Sequence, residues 1–583
     1  MSPIIMPRTQ LTSNAAAKTE DRFVGLHPIV KSILTVRGIT CEGQLEHSLK
    51  RLTPYQQLKD IDKAVARLVT ALQQQQKILV IGDFDADGAT STAIAVRSLK
   101  ALGAKHIDFL VPNRFEFGYG LTPEIVDVAQ QNSPNLIITV DNGISSCEGV
   151  ARANDYGIDV IVTDHHLPAE QLPQAVAIVN PNQPGDEFPS KNLAGVGVIF
   201  YTMLALRNAL RQINWFENQG IAQPNLANYL DIVALGTVAD VVPLDFNNRI
   251  LVHQGLQRIR SGQCCAGIQA LLEISNRNYQ RVVSSDLGFA LGPRLNAAGR
   301  LDDMSIGIQC LLTDDITQAR TYAQQLNELN NERRNIEADM QQQAFTALKK
   351  LALKDDTANL PFGLCLYDEQ WHQGVIGILA SRIKDHFHRP VIAFAPGDEQ
   401  LIKGSARSVK GLHIRDILQA IDAEHPGLIL KFGGHAMAAG LTLAKGNFEK
   451  FRSLFALEVA KHLSEADLKG VIYCDGTLSP ADFNLELAHY LRSAMPWGQE
   501  FPEPVFHGEF NVIEQRIVAS KHLKLIVQAV DGQEILDGIH FNADLNQWPN
   551  QRVQQIKLAY RLDVNEYAGR SKLQLLIEYL EAL

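Results

Sequence analysis

The sequence is short of several features that would settle its class early. Its 583 residues include seven cysteines, an odd number, and none stands in a C-x-x-C pair. Cys264 and Cys265 are adjacent, which suits neither a zinc knuckle nor a disulfide framework, so a reducing, cytoplasmic setting is expected. Long apolar runs are missing too. The longest stretch, "LAGVGVIFYTMLAL" (193–206), is too short to span a bilayer and reads as a core helix. The opening "MSPIIMPRTQLTSNAAAKTE" lacks the continuous apolar segment of a secretory leader. Internal repeats and long low-complexity tracts are absent from the sequence. So is a basic excess: the net charge is −10, which as an average argues against a polyanionic partner. An average conceals clusters, however. "IKGSARSVKGLHIR" (402–415) carries Lys403, Arg407, Lys410 and Arg415 with no acid.

What is present is an ordinary globular composition, 46% apolar and 20% charged, in a chain too long for one core. Residues 1–75 read as an N-terminal extension with a few helices. In 76–314, the apolar runs "KILVIG", "IDFLVP", "NLIITV", "DVIVT" and "AVAIVN" alternate with helical stretches, and helices follow from about 193. Continuous apolar strands separated by helices predict an α/β domain with a parallel sheet covered on both faces. Residues 315–352 contain no Gly or Pro and predict a long connector helix. A second, smaller α/β unit is expected over 353–468, from "FGLCLYD", "VIGILASRIKDHF" and "PVIAFA". Over 469–583 the period becomes two, as in "HLKLIVQAV" and "QIKLAYRLDV", which predicts a small β-barrel of the OB type.

The most informative stretch is "ILVIGDFDADGATST" (78–92), where Asp83, Asp85 and Asp87 follow a buried strand at alternate positions. The spacing opens a calcium loop of the EF-hand kind, but that loop requires a Glu at its twelfth position, and Ile94 stands there. A solvated turn has no use for three carboxylates that repel one another. Further acids end other apolar stretches: Asp141 in "NLIITVDNG", Asp164 with His165 and His166 in "DVIVTDHH", and Asp240 in "IVALGTVADVVPL". Taken singly, Asp141 would read as a turn or cap residue and the His pair as surface or core. In an open parallel sheet, however, strand C-termini line one crevice. Crowded, buried carboxylates are costly unless cations hold them, and oxygen-rich ligands with an imidazole or two suit Mg²⁺ or Mn²⁺. Two such ions, sharing a bridging carboxylate, activate water for displacement at phosphorus.

In order along the chain, GDFDADG, VDNG, TDHH and GTVADVVPL resemble the DHH phosphoesterase superfamily. With "GPRLNAAGRLDD" (292–303), "FGGHAMAAGLTL" (432–443) and the β tail, the chain is most similar to its bacterial single-strand-specific DNA exonucleases, from about residue 40 onward. The resemblance implies a two-metal phosphodiesterase acting 5′→3′ on single-stranded DNA and releasing nucleoside 5′-monophosphates in DNA repair and recombination. It implies Asp85 and Asp141 at one ion, and Asp87, Asp141, His165 and Asp240 at the other. His166 would orient phosphate or water, and Asp164 would support the imidazoles. One position departs from the family pattern: Ile81 stands where many members carry a His, so Asp83 or water is expected to complete the first site. The resemblance also implies single-stranded DNA-binding protein as a partner, and the chain is expected to be a monomer.

Other motifs suit a phosphodiester polymer. Gly433 and Gly434 beside His435 allow close backbone approach to phosphate, although a tight turn explains the glycines equally well. Ser405 and Arg407 in "GSARS" suit phosphate contact. Arg294, Asn296 and Arg300 are expected on the DNA side, with helix capping the competing role for Asn296. Arg114 and Tyr119, interleaved with Phe115 and Phe117, suit base stacking, or else a packed loop. In the tail, Lys521, Lys524, Trp497 and Phe506 are expected to grip a single strand, unless the module docks a protein. Two rival functions remain at this level. A small-substrate DHH phosphodiesterase has no need of the β domain and connector. A non-catalytic DNA-binding relative would have lost its acids.

Overall fold

The computed structural model describes residues 3–8, 23, 25–113, 117, 120–354, 360–398, 400–545, 547–567 and 570–583. The chain divides into two compact units. One comprises residues 6–327 and 473–583, the other residues 1–5 and 328–472.

In the larger unit, five short strands form a wholly parallel sheet: β1 (Ile78–Gly82), β2 (Ile107–Leu110), β3 (Leu136–Val140), β4 (Asp159–Thr163) and β5 (Ala177–Val179). Every residue of β1 and β3 is buried, as continuous Ile/Leu/Val runs require when helices cover both faces. Their spatial order is β2-β1-β3-β4-β5. The chain therefore steps outward from β1 to β2 and returns across it to β3. That reversal opens a crevice at the C-terminal ends of β1 and β3, the switch point where ligands bind in open α/β sheets. Behind the sheet lie α1 (Ala86–Ala101), α2 (Gly195–Gln212) and α3 (Leu230–Ala239), and a further helix, α4 (Gly292–Leu301), packs on α1 and α3. Ile81 is fully buried in the apolar cluster that includes Leu79, Ile137 and Val162.

The connector is α5 (Ile316–Lys354), a 39-residue helix, and the division between the two units falls within it. In the smaller unit a five-stranded mixed sheet carries the strands Leu401–Arg407, Ile429–Gly434 and Ala438–Ala444 side by side, with helix Ile376–Phe387 packed on it. The C-terminal residues of the larger unit close a five-stranded barrel from Phe506 to Ala582. All seven cysteines are free. Among the described residues, no helix is long and apolar enough to cross a membrane.

Candidate metal centre

Three strand ends and one helix end deliver the acids. After β1 the chain turns at once into α1, and Asp85 is the N-cap: its Oδ1 accepts from Asp87 N (2.9 Å) and Gly88 N (3.0 Å). Two residues on, the Asp87 carboxylate accepts from Gly195 N (2.6 Å) and Val196 N (3.0 Å), the first amides of α2. Helix α2 has no side-chain cap of its own, so Asp87 satisfies donors that would otherwise be orphaned in the interior. Asp141 follows β3 in a left-handed conformation (φ 61°). Only glycine fits opposite it, because a Cβ on Gly195 would stand 2.6 Å from the Asp141 Cβ. Asp240 is the C-cap of α3, brought in from the far side.

These groups converge. Ligand atoms of Asp83, Asp85 and Asp141 lie within 4.8 Å of one another, as do those of Asp87, His165 and Asp240, and those of Asp141, His165 and His166. His165 Nε2 is 3.2 Å from Asp141 Oδ1, 3.4 Å from Asp240 Oδ2 and 3.9 Å from Asp87 Oδ2. That nitrogen is buried and makes no hydrogen bond, although three carboxylates surround it.

The electrostatics follow from this crowding. Burial, and then the charge of Asp85, pushes Asp87 up to about 7. Burial and the neighbouring Asp87 and Asp85 carboxylates hold Asp141 and Asp240 well above the usual range. Burial and the nearby His166 depress His165 to about 4, so its imidazole is neutral and keeps a lone pair. His166 is the opposite case. Burial alone would lower it, but the hydrogen bond and charge of Asp164 raise it to about 9. Asp164 is correspondingly lowered despite its burial. It accepts from Ile144 N (2.9 Å), His165 N (2.7 Å) and His166 N (3.1 Å), and meets His166 Nδ1 at 2.7 Å. The cluster thus holds more acids than can ionise together, an orphaned imidazole nitrogen among carboxylate oxygens, and one imidazolium at the rim. The first two fit hard divalent cations of the Mg²⁺ or Mn²⁺ kind.

The chain is 54% identical to the single-stranded-DNA-specific exonuclease RecJ of Escherichia coli and 55% identical to that of Salmonella typhimurium, with 98% of this chain and 98% of each relative covered. The chain belongs to the RecJ family. Models of the DHH family N-terminal domain, the DHHA1 domain and the RecJ OB domain match residues 77–237, 361–461 and 474–579. A crystal structure of RecJ from Thermus thermophilus in complex with Mn²⁺ superposes with a TM-score of 0.76 at 29% identity, over 96% of this chain and 76% of that one. The Mg²⁺ complex of the same protein gives 0.71 at 28% identity, over 96% and 75%. The RecJ fold, with its parallel-sheet domain, DHHA1 domain and closed OB barrel, is therefore this chain's fold, and its acid cluster could hold metal ions.

The remaining expected site residues fall in different places. Ser405, Arg407, Gly433, Gly434 and His435 do come together, in the smaller unit. Arg407 pairs across strands with Ala438, Ser405 with Gly440, and Gly440 with Gly433. Arg407 is half-buried, and its guanidinium donates to Ser405 Oγ (3.1 Å) and Ala406 O (2.8 Å). Arg294 turns inward to Ala290 O (2.6 Å) and Asn327 Oδ1 (3.1 Å). Asn296 Oδ1 accepts from Ala86 N (2.9 Å), so the capping role holds, but for a helix 210 residues away in the chain. Arg300, on the same helix, is half-buried. Arg114 and Tyr119 lie outside the described residues. Two expectations for the barrel are corrected. Trp497 and Phe506 are buried, Trp497 stacked on Phe501 and Phe506 packed near Tyr560, so neither ring is free to stack a base. Lys524 faces Asp537 at 3.4 Å, while Lys521 is exposed.

Sequence reasoning missed the supports. Asn182 donates to His165 O (2.6 Å) and Asn180 to His166 O (3.0 Å). Asn142 donates to Ile81 O (3.1 Å) and Val140 O (2.9 Å), tying the ends of β1 and β3 together. The sequence did hold a signal for Gly195: a helix start in "LAGVGV" with no capping side chain requires an acceptor from elsewhere.

Proposed function

We propose that this chain removes nucleotides stepwise from the 5′ end of single-stranded DNA, releasing nucleoside 5′-monophosphates, in DNA repair and recombination. The observation that carries the reading is the convergence of Asp83, Asp85, Asp87, Asp141, His165 and Asp240 on one crevice, on the scaffold of a family whose relatives are single-stranded-DNA-specific exonucleases. Asp87, His165 and Asp240 would hold one ion and Asp83, Asp85 and Asp141 the other, and the Asp141 carboxylate also stands within reach of His165 and His166. Asp83 takes up the place left by the apolar Ile81. When bound, the paired cations supply an activated water and neutralise charge on the phosphate. The residues of the chain do the rest. His165, neutral at pH 7, offers its Nε2 lone pair, and Asp164 fixes the other imidazole through Nδ1. His166, held protonated by Asp164, presents a cationic Nε2–H that can donate to a phosphate oxygen as negative charge grows there. Within the smaller unit, Ser405, Arg407, Gly433, Gly434 and His435 form a surface for the strand's phosphates, and Arg300 on α4 is a separate candidate for phosphate contact.

The test is digestion of single- and double-stranded oligonucleotides labelled at either end, with Mn²⁺ or Mg²⁺ and then with EDTA. Release of mononucleotides from the 5′ end of single strands alone, abolished by EDTA, is expected. Asp141→Ala should lower kcat by at least about a thousandfold and lose the thermal protection that Mn²⁺ gives the parent. Cleavage of dinucleotides or cyclic dinucleotides, with long strands untouched, would instead identify a small-substrate phosphodiesterase. The same reading places the protein in the reducing cytoplasm as a monomer whose partner is single-stranded DNA-binding protein, which sedimentation of the protein with and without that partner checks.

A further inference from the structure

Each loop that delivers a ligand is tied down by an asparagine side chain. Asn296 Oδ1 accepts from Ala86 N at 2.9 Å, midway between Asp85 and Asp87. Asn182 Nδ2 donates to His165 O (2.6 Å) and to Lys191 O (3.1 Å). Asn180 Nδ2 donates to His166 O (3.0 Å), and its Oδ1 accepts from Asn182 N (2.7 Å). Beyond Asp240, Asn248 Nδ2 donates to Pro243 O (3.0 Å) and Asn192 O (2.6 Å). The orientation of each amide is fixed by its partner, because a backbone N–H can only donate and a carbonyl can only accept. The choice of side chain has a physical reason. A supporting Asp could accept but not donate, and a supporting Lys or Arg would compete with the cations. Asparagine provides both a donor and an acceptor with no charge.

Helix α4 is also pressed against the carboxylate loop at a second point. A Cβ on Gly299 would lie 1.7 Å from Phe84 O, so only glycine permits the approach that lets Asn296, one turn earlier on the same face, reach Ala86. We infer that Asn296 and Asn182 are positioning residues for the metal ligands, Asn296 acting as an acceptor and Asn182 as a donor, rather than contacts for the strand. The inference rests on the metal-centre reading above.

The opposite hydrogen-bonding roles make it testable with four variants of the full-length protein: Asn296→Ala, Asn296→Asp, Asn182→Ala and Asn182→Asp. The readouts are the Mn²⁺ concentration needed for thermal protection, and kcat and KM on a single-stranded oligonucleotide, with circular dichroism to establish that each variant is folded. Asn296→Ala is expected to weaken Mn²⁺ binding and lower kcat, each by about tenfold to a hundredfold, with KM for DNA unchanged. Asn296→Asp, whose carboxylate still accepts from Ala86, recovers most of both losses. For Asn182 the order reverses, since a carboxylate cannot donate to His165 O. Asn182→Asp is therefore as impaired as Asn182→Ala, or more so. If Asn296→Asp proves as damaged as Asn296→Ala, or if KM for DNA rises while Mn²⁺ binding is unchanged, the inference fails. If an Asn182 variant does not fold, the Asn296 pair decides. Failure of the metal reading itself would look different, because the parent protein would then show no protection by Mn²⁺.

Discussion

Asp87 and Asp141 are each asked to be two things. Asp87 is the acceptor for the opening amides of α2 as well as a candidate ligand, and Asp141 stands both with the Asp83 and Asp85 carboxylates and with the His165 and His166 imidazoles. Without cations the cluster relieves its repulsion by holding protons, with Asp87 near 7 and Asp141 and Asp240 raised by burial and by the charges of Asp87 and Asp85. Bound cations favour the ionised carboxylates, so loading the site at pH 7 must expel protons. Mn²⁺ titrations by calorimetry in buffers of different ionisation heat should therefore show net proton release, with the share from Asp87 shrinking above pH 8 as that carboxylate ionises on its own. Binding should tighten as pH rises from 6 to 8. A proton count of zero at pH 7 would contradict the arrangement described.

At the scale of elements, the start of α2 is packed directly on Asp141. A methyl group on Gly195 would stand 2.9 Å from the Asp141 Cα and 2.7 Å from its Oδ1. Gly195→Ala should cost about 1–3 kcal/mol of stability, as overpacking does, and weaken Mn²⁺ binding together with it; denaturant melts with and without Mn²⁺ check both. The strands and the acids that end them were legible in the sequence, because a strand buried on both faces must be continuously apolar and a polar residue beyond it marks where the sheet stops. The connector was legible from its lack of Gly and Pro. What could not be read were partners set by tertiary approach. Nothing near Asn296 in the chain announces Ala86, and nothing near Asp87 announces the amides of Gly195 and Val196. The aromatics of the tail misled for a related reason: Trp497 and Phe506 look like stacking platforms until closure of the barrel and its packing put them inside.

For the larger unit as a whole, the join between the segment leading into the barrel and the N-terminal helix is a buried ion pair. Arg37 donates to both oxygens of Asp475 (2.7 and 3.0 Å), with both side chains almost fully enclosed, and it also donates to Pro502 O (2.9 Å) and lies 5.3 Å over the Trp497 ring. Removing one partner strands the other, so Asp475→Ala should destabilise this unit by about 3–5 kcal/mol, seen as a lower denaturation midpoint. A second whole-unit effect comes from His47, stacked on His253 at 4.3 Å and held down to about 4 by burial and by that neighbour. In the unfolded chain its value is about 6.5, so the unfolded state gains a proton first as pH falls. Stability is then lost between pH 6.5 and 4. Melting curves at pH 7.5 and 5 should show the fall, and His47→Gln should reduce it.

The acid cluster has a consequence for how the protein lives in a cell. Since hydrogen ions can occupy the carboxylates in place of manganese or magnesium, the polypeptide can finish folding before it is charged with metal. Starvation for these ions would then leave an intact, idle reserve that revives on resupply, rather than debris for proteases.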